Sequence, residues 1–96
     1  MADFVLTIEA QDDLIAIQDY IALDNPTVAA RVIDECFESF ATLAEQPFIG
    51  HKREDLTSRE VRFWSIYSYL IIYDATTQPI SIVRVLSGYR DITSLL

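Results

Sequence analysis

The sequence predicts an α+β domain built as strand, helix, helix and three further strands, and three observations carry that reading. An alternating run opens the chain, two amphipathic stretches follow with only Asn25-Pro26 at their junction, and the second half closes on three segments rich in β-branched and aromatic residues. A period of two reports a strand and a period near 3.6 a helix. Successive side chains alternate across a sheet but return to one face of a helix every three or four residues.

Phe4, Leu6 and Ile8 alternate with Val5 and Thr7, which gives a first strand with an apolar face. From about Ala10 to Asp24, Leu14, Ile17, Tyr20 and Ile21 recur at helical intervals while Asp12, Asp13 and Asp19 fall mostly elsewhere, so an amphipathic helix is expected. Asn25 can cap the next helix by accepting from exposed amides, and Pro26 at the first helical position forfeits no needed donor. A second helix is expected over about Pro26 to Gln46, with Ala29, Val32, Ile33, Cys36, Phe37, Phe40, Leu43 and Ala44 as its apolar stripe. So short a connection makes the two helices an antiparallel hairpin. Pro47 ends the second helix, Gly50 marks a turn, and residues 50–59 read as an exposed polar loop.

Three strands are expected at about Glu60 to Ile66, Tyr69 to Asp74 and Ile80 to Leu86. Tyr67-Ser68 and residues 75–79 are short enough to join them as an antiparallel meander. Gly88 breaks the last strand, leaving residues 90–96 as a short helix or an extended tail.

The 96 residues suit one domain over 1–96, with about half of them apolar or aromatic. No apolar stretch approaches the ~20 residues of a membrane span, and Asp3 and Glu9 leave no basic leader, so a cytoplasmic protein is expected. Cys36 is the only cysteine and sits among apolar neighbours at helical spacing, as a core thiol would. His51 is the only histidine. No metal site, cofactor or histidine relay is therefore expected.

The formal net charge is −8, unevenly spread. Residues 1–50 carry ten acids against Arg31 alone, whereas residues 51–96 carry six bases against five acids. A long acidic segment repels a polyanion, so sequence-specific nucleic-acid binding is not expected, and any polyanion contact must use the second half.

Spaced segments resemble the ParE-like plasmid-stabilisation toxins of the RelE/ParE superfamily. They are Asp19-Tyr-Ile-Ala-Leu-Asp-Asn-Pro26, Ala29-Ala-Arg-Val-Ile33, Pro47-Phe-Ile-Gly50, Val61-Arg62, Tyr69-Leu-Ile-Ile-Tyr73, Ile82-Val-Arg-Val-Leu86 and Gly88-Tyr-Arg-Asp91. Their common order and spacing over nearly the whole chain carries the resemblance, not any one piece. It implies a helical hairpin packed on one face of a twisted antiparallel sheet, with Ile17, Ile21, Val32, Phe37 and Phe40 against the strands. It also implies the toxin of a type II toxin–antitoxin system, neutralised by a ParD-like antitoxin, acting on DNA gyrase and capable of forming a higher toxin–antitoxin oligomer. The alternatives are a RelE-type ribosome-dependent endoribonuclease and a non-toxic member that binds an antitoxin.

The residues expected to contact target or antitoxin are Lys52, Arg53, Arg62, Tyr67, Arg84, Tyr89 and Arg90, with no catalytic residue assigned. By strand parity Arg62 goes with Trp64 and Ile66, and Arg84 with Ile82 and Leu86, so each guanidinium interrupts an apolar face. A charge so placed needs a partner. Two readings stay open: pairing with an acid from the helices or escape of the head to the sheet rim, and a basic, aromatic-edged binding surface. Ribonuclease chemistry would need cations on phosphate and a proton-transfer group, for which Tyr89 and Arg90 offer part of a set.

Overall fold

The computed structural model describes residues 3–87. In chain order they form β1 (Phe4–Leu6), α1 (Ile8–Ala22), α2 (Pro26–Glu45), β2 (Arg62–Ile66), β3 (Tyr69–Asp74) and β4 (Ile80–Ser87). The expected residues 90–96 helix or tail lies outside the described residues.

Helix α1 begins two residues before the expected start. Thr7 Oγ1 accepts from the Ala10 amide at 3.0 Å and donates to the Val83 carbonyl at 2.8 Å, so one hydroxyl caps the helix and ties it to β4. Asn25 caps α2 as expected, its Oδ1 accepting from the Val28 amide at 3.1 Å, and Pro26 takes the first turn.

The strands order as β1-β4-β3-β2. The last three form the expected antiparallel meander, but β1 lies parallel to β4, with Phe4 opposite Ile80 and Leu6 opposite Ile82. The sheet is thus mixed, not wholly antiparallel. Alternation in a sequence reports which face a residue takes and says nothing of strand direction.

Against one sheet face, Ala10, Leu14, Ile17, Val32, Cys36, Phe40, Leu43 and Ala44 of the helices meet Ile71, Tyr73, Ile80, Ile82 and Val85. The other face also buries apolar residues: Val61, Phe63, Leu70, Ile72 and Leu86 cluster with Leu56 of the polar loop and Val83. Central strand β3 is therefore buried on both faces from Leu70 to Tyr73.

Two expectations about side-chain direction change. Phe37 is 40% exposed, whereas Phe40 is fully buried, because Cys36, Phe40 and Leu43 hold the centre of the α2 stripe and Phe37 falls at its margin. Phe37 still packs edgewise on Phe40, with ring centroids 5.3 Å apart. In β4 the register shifts where Ile72 faces Arg84 and Tyr73 faces Ile82, which leaves Val83 as the extra residue of a bulge. Parity breaks there: Ile82 and Val85 join the helix-side core and Leu86 the opposite cluster.

Candidate binding surfaces

Arg84 emerges from the bulge toward α1. Its Nε donates to Asp13 Oδ2 at 2.7 Å and its Nη2 to Asp13 Oδ1 at 2.9 Å, a two-pronged pair with both side chains largely buried. Asp13 Oδ2 also accepts from the Val85 amide at 3.0 Å. The hydrogen bond to Asp13 holds the Arg84 pKa above the ordinary guanidinium value. Of the two readings left open, Arg84 takes pairing with a helix acid. The signal lay in α1, where Asp13 is flanked in helical register by buried Ala10, Leu14 and Ile17 and so had to face the sheet.

Arg62 is half-buried and forms no salt bridge among the described residues. Its Nη1 donates to the Gly50 carbonyl at 2.9 Å and the Phe48 carbonyl at 3.3 Å, and the guanidinium lies 5.1 Å from the Phe48 ring centroid. Its register partner Tyr73 grips the same turn: the phenol donates to the Pro47 carbonyl at 2.8 Å and accepts from the Gly50 amide at 2.9 Å. Burial pushes the Tyr73 phenol pKa up. A Cβ at residue 50 would stand 2.3 Å from Tyr73 Oη, so the Pro47-Phe-Ile-Gly50 segment ends in glycine to let the ring approach. Nothing in periodicity announced that anchor.

The polar loop holds Lys52 and Arg53, but it is not a concentrated positive patch. Lys52 Nζ meets Glu60 at 3.0 Å, and Arg53 takes both oxygens of Asp55 at 3.0 and 2.9 Å. Arg53 holds the Asp55 carboxyl below the usual range. These pairs are exposed, and such pairs add little stability. His51 pairs backbone to backbone with Phe63, continuing the sheet beyond β2.

Tyr67 occupies the β2–β3 turn at φ 55°, with its ring 64% exposed and its hydroxyl donating to Glu35 of α2. That bond to a carboxylate raises the phenol pKa. Sequence reasoning named Tyr67 but missed Glu35. Tyr89 and Arg90 lie outside the described residues, so Arg62, Arg84, Lys52, Arg53 and Tyr67 are the expected contacts that can be placed. They do not converge. Arg62 and Arg84 sit on different strands with separate partners, and Lys52 and Arg53 belong to the loop.

Two grooves flank the helices. One, of about 360 Å³, runs between α1 and the sheet, lined by Asp13, Ile17, Tyr20, Tyr69 and Val85 among others. The second, of about 370 Å³, separates α2 from β2. Among the described residues no cluster of three metal-ligating side chains occurs, and no helix is long and apolar enough to cross a membrane.

A two-helix layer on a four-stranded mixed sheet, with its strand cations engaged by internal partners, makes this an α+β module with no assembled catalytic cluster among the described residues. The family described as ParE toxin of type II toxin-antitoxin system, parDE, matches residues 4–92, and the chain belongs to it. Among solved structures, a chromosomal ParDE TA system from P. aeruginosa shares the fold with a TM-score of 0.76 at 23% identity, covering 93% of this chain and 98% of that one. A comparison with curated proteins found no match.

Proposed function

We propose that this ParE toxin is neutralised by a ParD-like antitoxin and acts in the cytoplasm by binding DNA gyrase, without catalysing a reaction. The observation that supports binding over catalysis is the commitment of the strand arginines. A ribonuclease that works on ribosome-bound messenger must present cations to phosphate and a proton-transfer group to the reacting oxygens. Here Arg84 is engaged by Asp13 and Arg62 by two carbonyls, while the Tyr67 phenol is bound to Glu35 and holds its proton more tightly than a free one. A binding toxin needs none of those groups free.

The test is supercoiling by purified gyrase beside messenger cleavage on ribosomes, with wild type, Tyr89→Phe and Arg90→Glu. Gyrase inhibition should survive Tyr89→Phe, which keeps the ring, and fail with Arg90→Glu, which turns attraction into repulsion at a contact. Removing a general acid or base typically costs ~100 to 10,000-fold in rate, so ribosomal cleavage lost in Tyr89→Phe, with gyrase untouched, would install the ribonuclease reading instead. Coproduction with an antitoxin candidate, where one is encoded beside the toxin, should yield a complex of the two. Two folded proteins that fail to associate would remove that candidate as the antitoxin.

A further inference from the structure

The groove between α2 and β2 is the surface that none of the internal anchors explains. Glu35, Glu38, Ser39 and Thr42 recur along one face of α2 and look across at Trp64 and Ile66 of β2 and at Tyr67. Its floor is apolar and incompletely covered: Trp64 and Ile66 are half-buried and the Tyr67 ring is mostly exposed. Its border is acidic. Glu38 is exposed and makes no salt bridge among the described residues, and Glu35 uses an oxygen to hold the Tyr67 ring at the groove mouth. Arg31, one turn before Glu35, is exposed, and its charge reaches Tyr67, so one cation stands beside the two glutamates at the groove mouth.

We propose that this groove receives a basic, apolar-rich segment of the antitoxin, with Lys or Arg heads on Glu35 and Glu38 and their stems over Trp64 and Tyr67. The inference rests on the reading that an antitoxin covers the toxin, and it adds the chemistry of the part that docks here. A cation gains from an aromatic face, a long basic side chain lays its methylenes on apolar surface, and a carboxylate beside the head makes a charge-assisted hydrogen bond. All three partners stand around one groove. A second copy of this chain fits poorly, because ten acids against one base in residues 1–50 set like charge against like. An acidic segment meets the same repulsion.

Trp64 is the only tryptophan, so its emission reports occupancy of this groove directly. The probe is a synthetic peptide of Leu, Ala, Lys and Arg, with a control in which every basic residue is replaced by Glu. Both are titrated against the full chain, Glu38→Gln and the Glu35→Gln/Glu38→Gln double variant, at low and moderate salt. The basic peptide should shift Trp64 emission, and the double variant should weaken its binding by roughly tenfold or more, as loss of contacts to a charged group does. The control peptide should leave the emission unchanged. Glu35→Gln alters the bond to Tyr67, so thermal unfolding must first show the double variant folded; Glu38→Gln, free of that contact, should weaken binding in the same direction. No Trp64 response, an equal response to both peptides, or binding indifferent to both glutamates would overturn the proposal. Growth arrest without peptide binding would remove this inference and leave the toxin reading intact. Peptide binding without growth arrest would do the reverse.

Discussion

Arg62 and Arg84 each break an apolar strand, yet the two regions they organise are built on different chemistry. Around Arg84 the partner is a full charge, Asp13, brought from 71 residues away by α1, and the pair is largely shielded from water. Around Arg62 the partners are the carbonyls of one turn and the face of Phe48, with Tyr73 completing the grip from the neighbouring strand. The first joins two layers of the fold. The second fastens a loop to a strand. A shielded charge left alone is costly, whereas carbonyls that lose a cation can turn to water, so the first region should be the more sensitive to loss of one partner.

The largest expected effect is that of Asp13→Ala. It removes the two-pronged partner of Arg84 and the acceptor of the Val85 amide, at a cost of about 3 kcal/mol in denaturant unfolding. Asp13→Leu combined with Arg84→Met should recover most of that loss, because an apolar pair leaves no charge behind. A double variant no better than Asp13→Ala would mean that the pair is not what joins the layers there. Next comes Gly50→Ala, which drives a methyl into the Tyr73 ring and should cost about 2 kcal/mol. Trimming the ring's hydroxyl with Tyr73→Phe in that background should return part of the loss if the clash is the cause. Arg62→Met should cost about 1 kcal/mol, the scale of one hydrogen bond with a cation–aromatic contact. If it proves costlier than Asp13→Ala, the ranking of the two regions is wrong.

An effect of similar size is in pH. Burial pushes the Cys36 thiol from 9.0 up to about 11. The folded chain then holds this proton over a range where the unfolded chain has released it, so stability falls as pH rises from about 9 toward 11, by about 1 kcal/mol at pH 10. Tyr69 and Tyr73 are shifted in the same direction by burial and steepen the fall at its upper end. Cys36→Ala should flatten the lower part of the curve measured by thermal unfolding from pH 8 to 10. An unchanged slope would show that the thiol is not the group responsible.

The element order was legible because periodicity and caps are local: Asn25-Pro26 placed the α2 start to the residue, and the β3 strand matched its expected bounds. What failed was geometric. The bulge at Val83 inverted the parity on which Arg84 and Leu86 had been assigned, and no residue in that stretch marks it. Phe37 looked like core because eight apolar positions share the α2 stripe, but it lies at the stripe's margin, against Phe4 of the short edge strand β1, and stays 40% exposed. Ring deletion at Phe40, not Phe37, should therefore cost the 3 to 5 kcal/mol typical of a buried aromatic (about that range in comparable cores). Of the expected contacts, Tyr67, Arg62 and Arg84 were named by residue type; Asp13 was signalled only by its register with Ala10, Leu14 and Ile17, while Glu35 and Phe48 depend on tertiary contacts that sequence spacing does not encode.

Strand β1 covers β4 for only three residues before the chain turns away into α1. Past that point, the Thr7 hydroxyl takes the Val83 carbonyl and the Asp13 carboxylate takes the Val85 amide. Two side chains from the same helix start thereby stand in for the backbone of a longer strand. An exposed row of amides and carbonyls is a template on which a stray strand can grow, and occupying it with side chains is a safeguard against that growth. The safeguard is removable. Losing Asp13 would unmask an amide as well as unbalance a charge, so a weakened chain would also become a stickier one, prone to pairing edge to edge as its concentration rises.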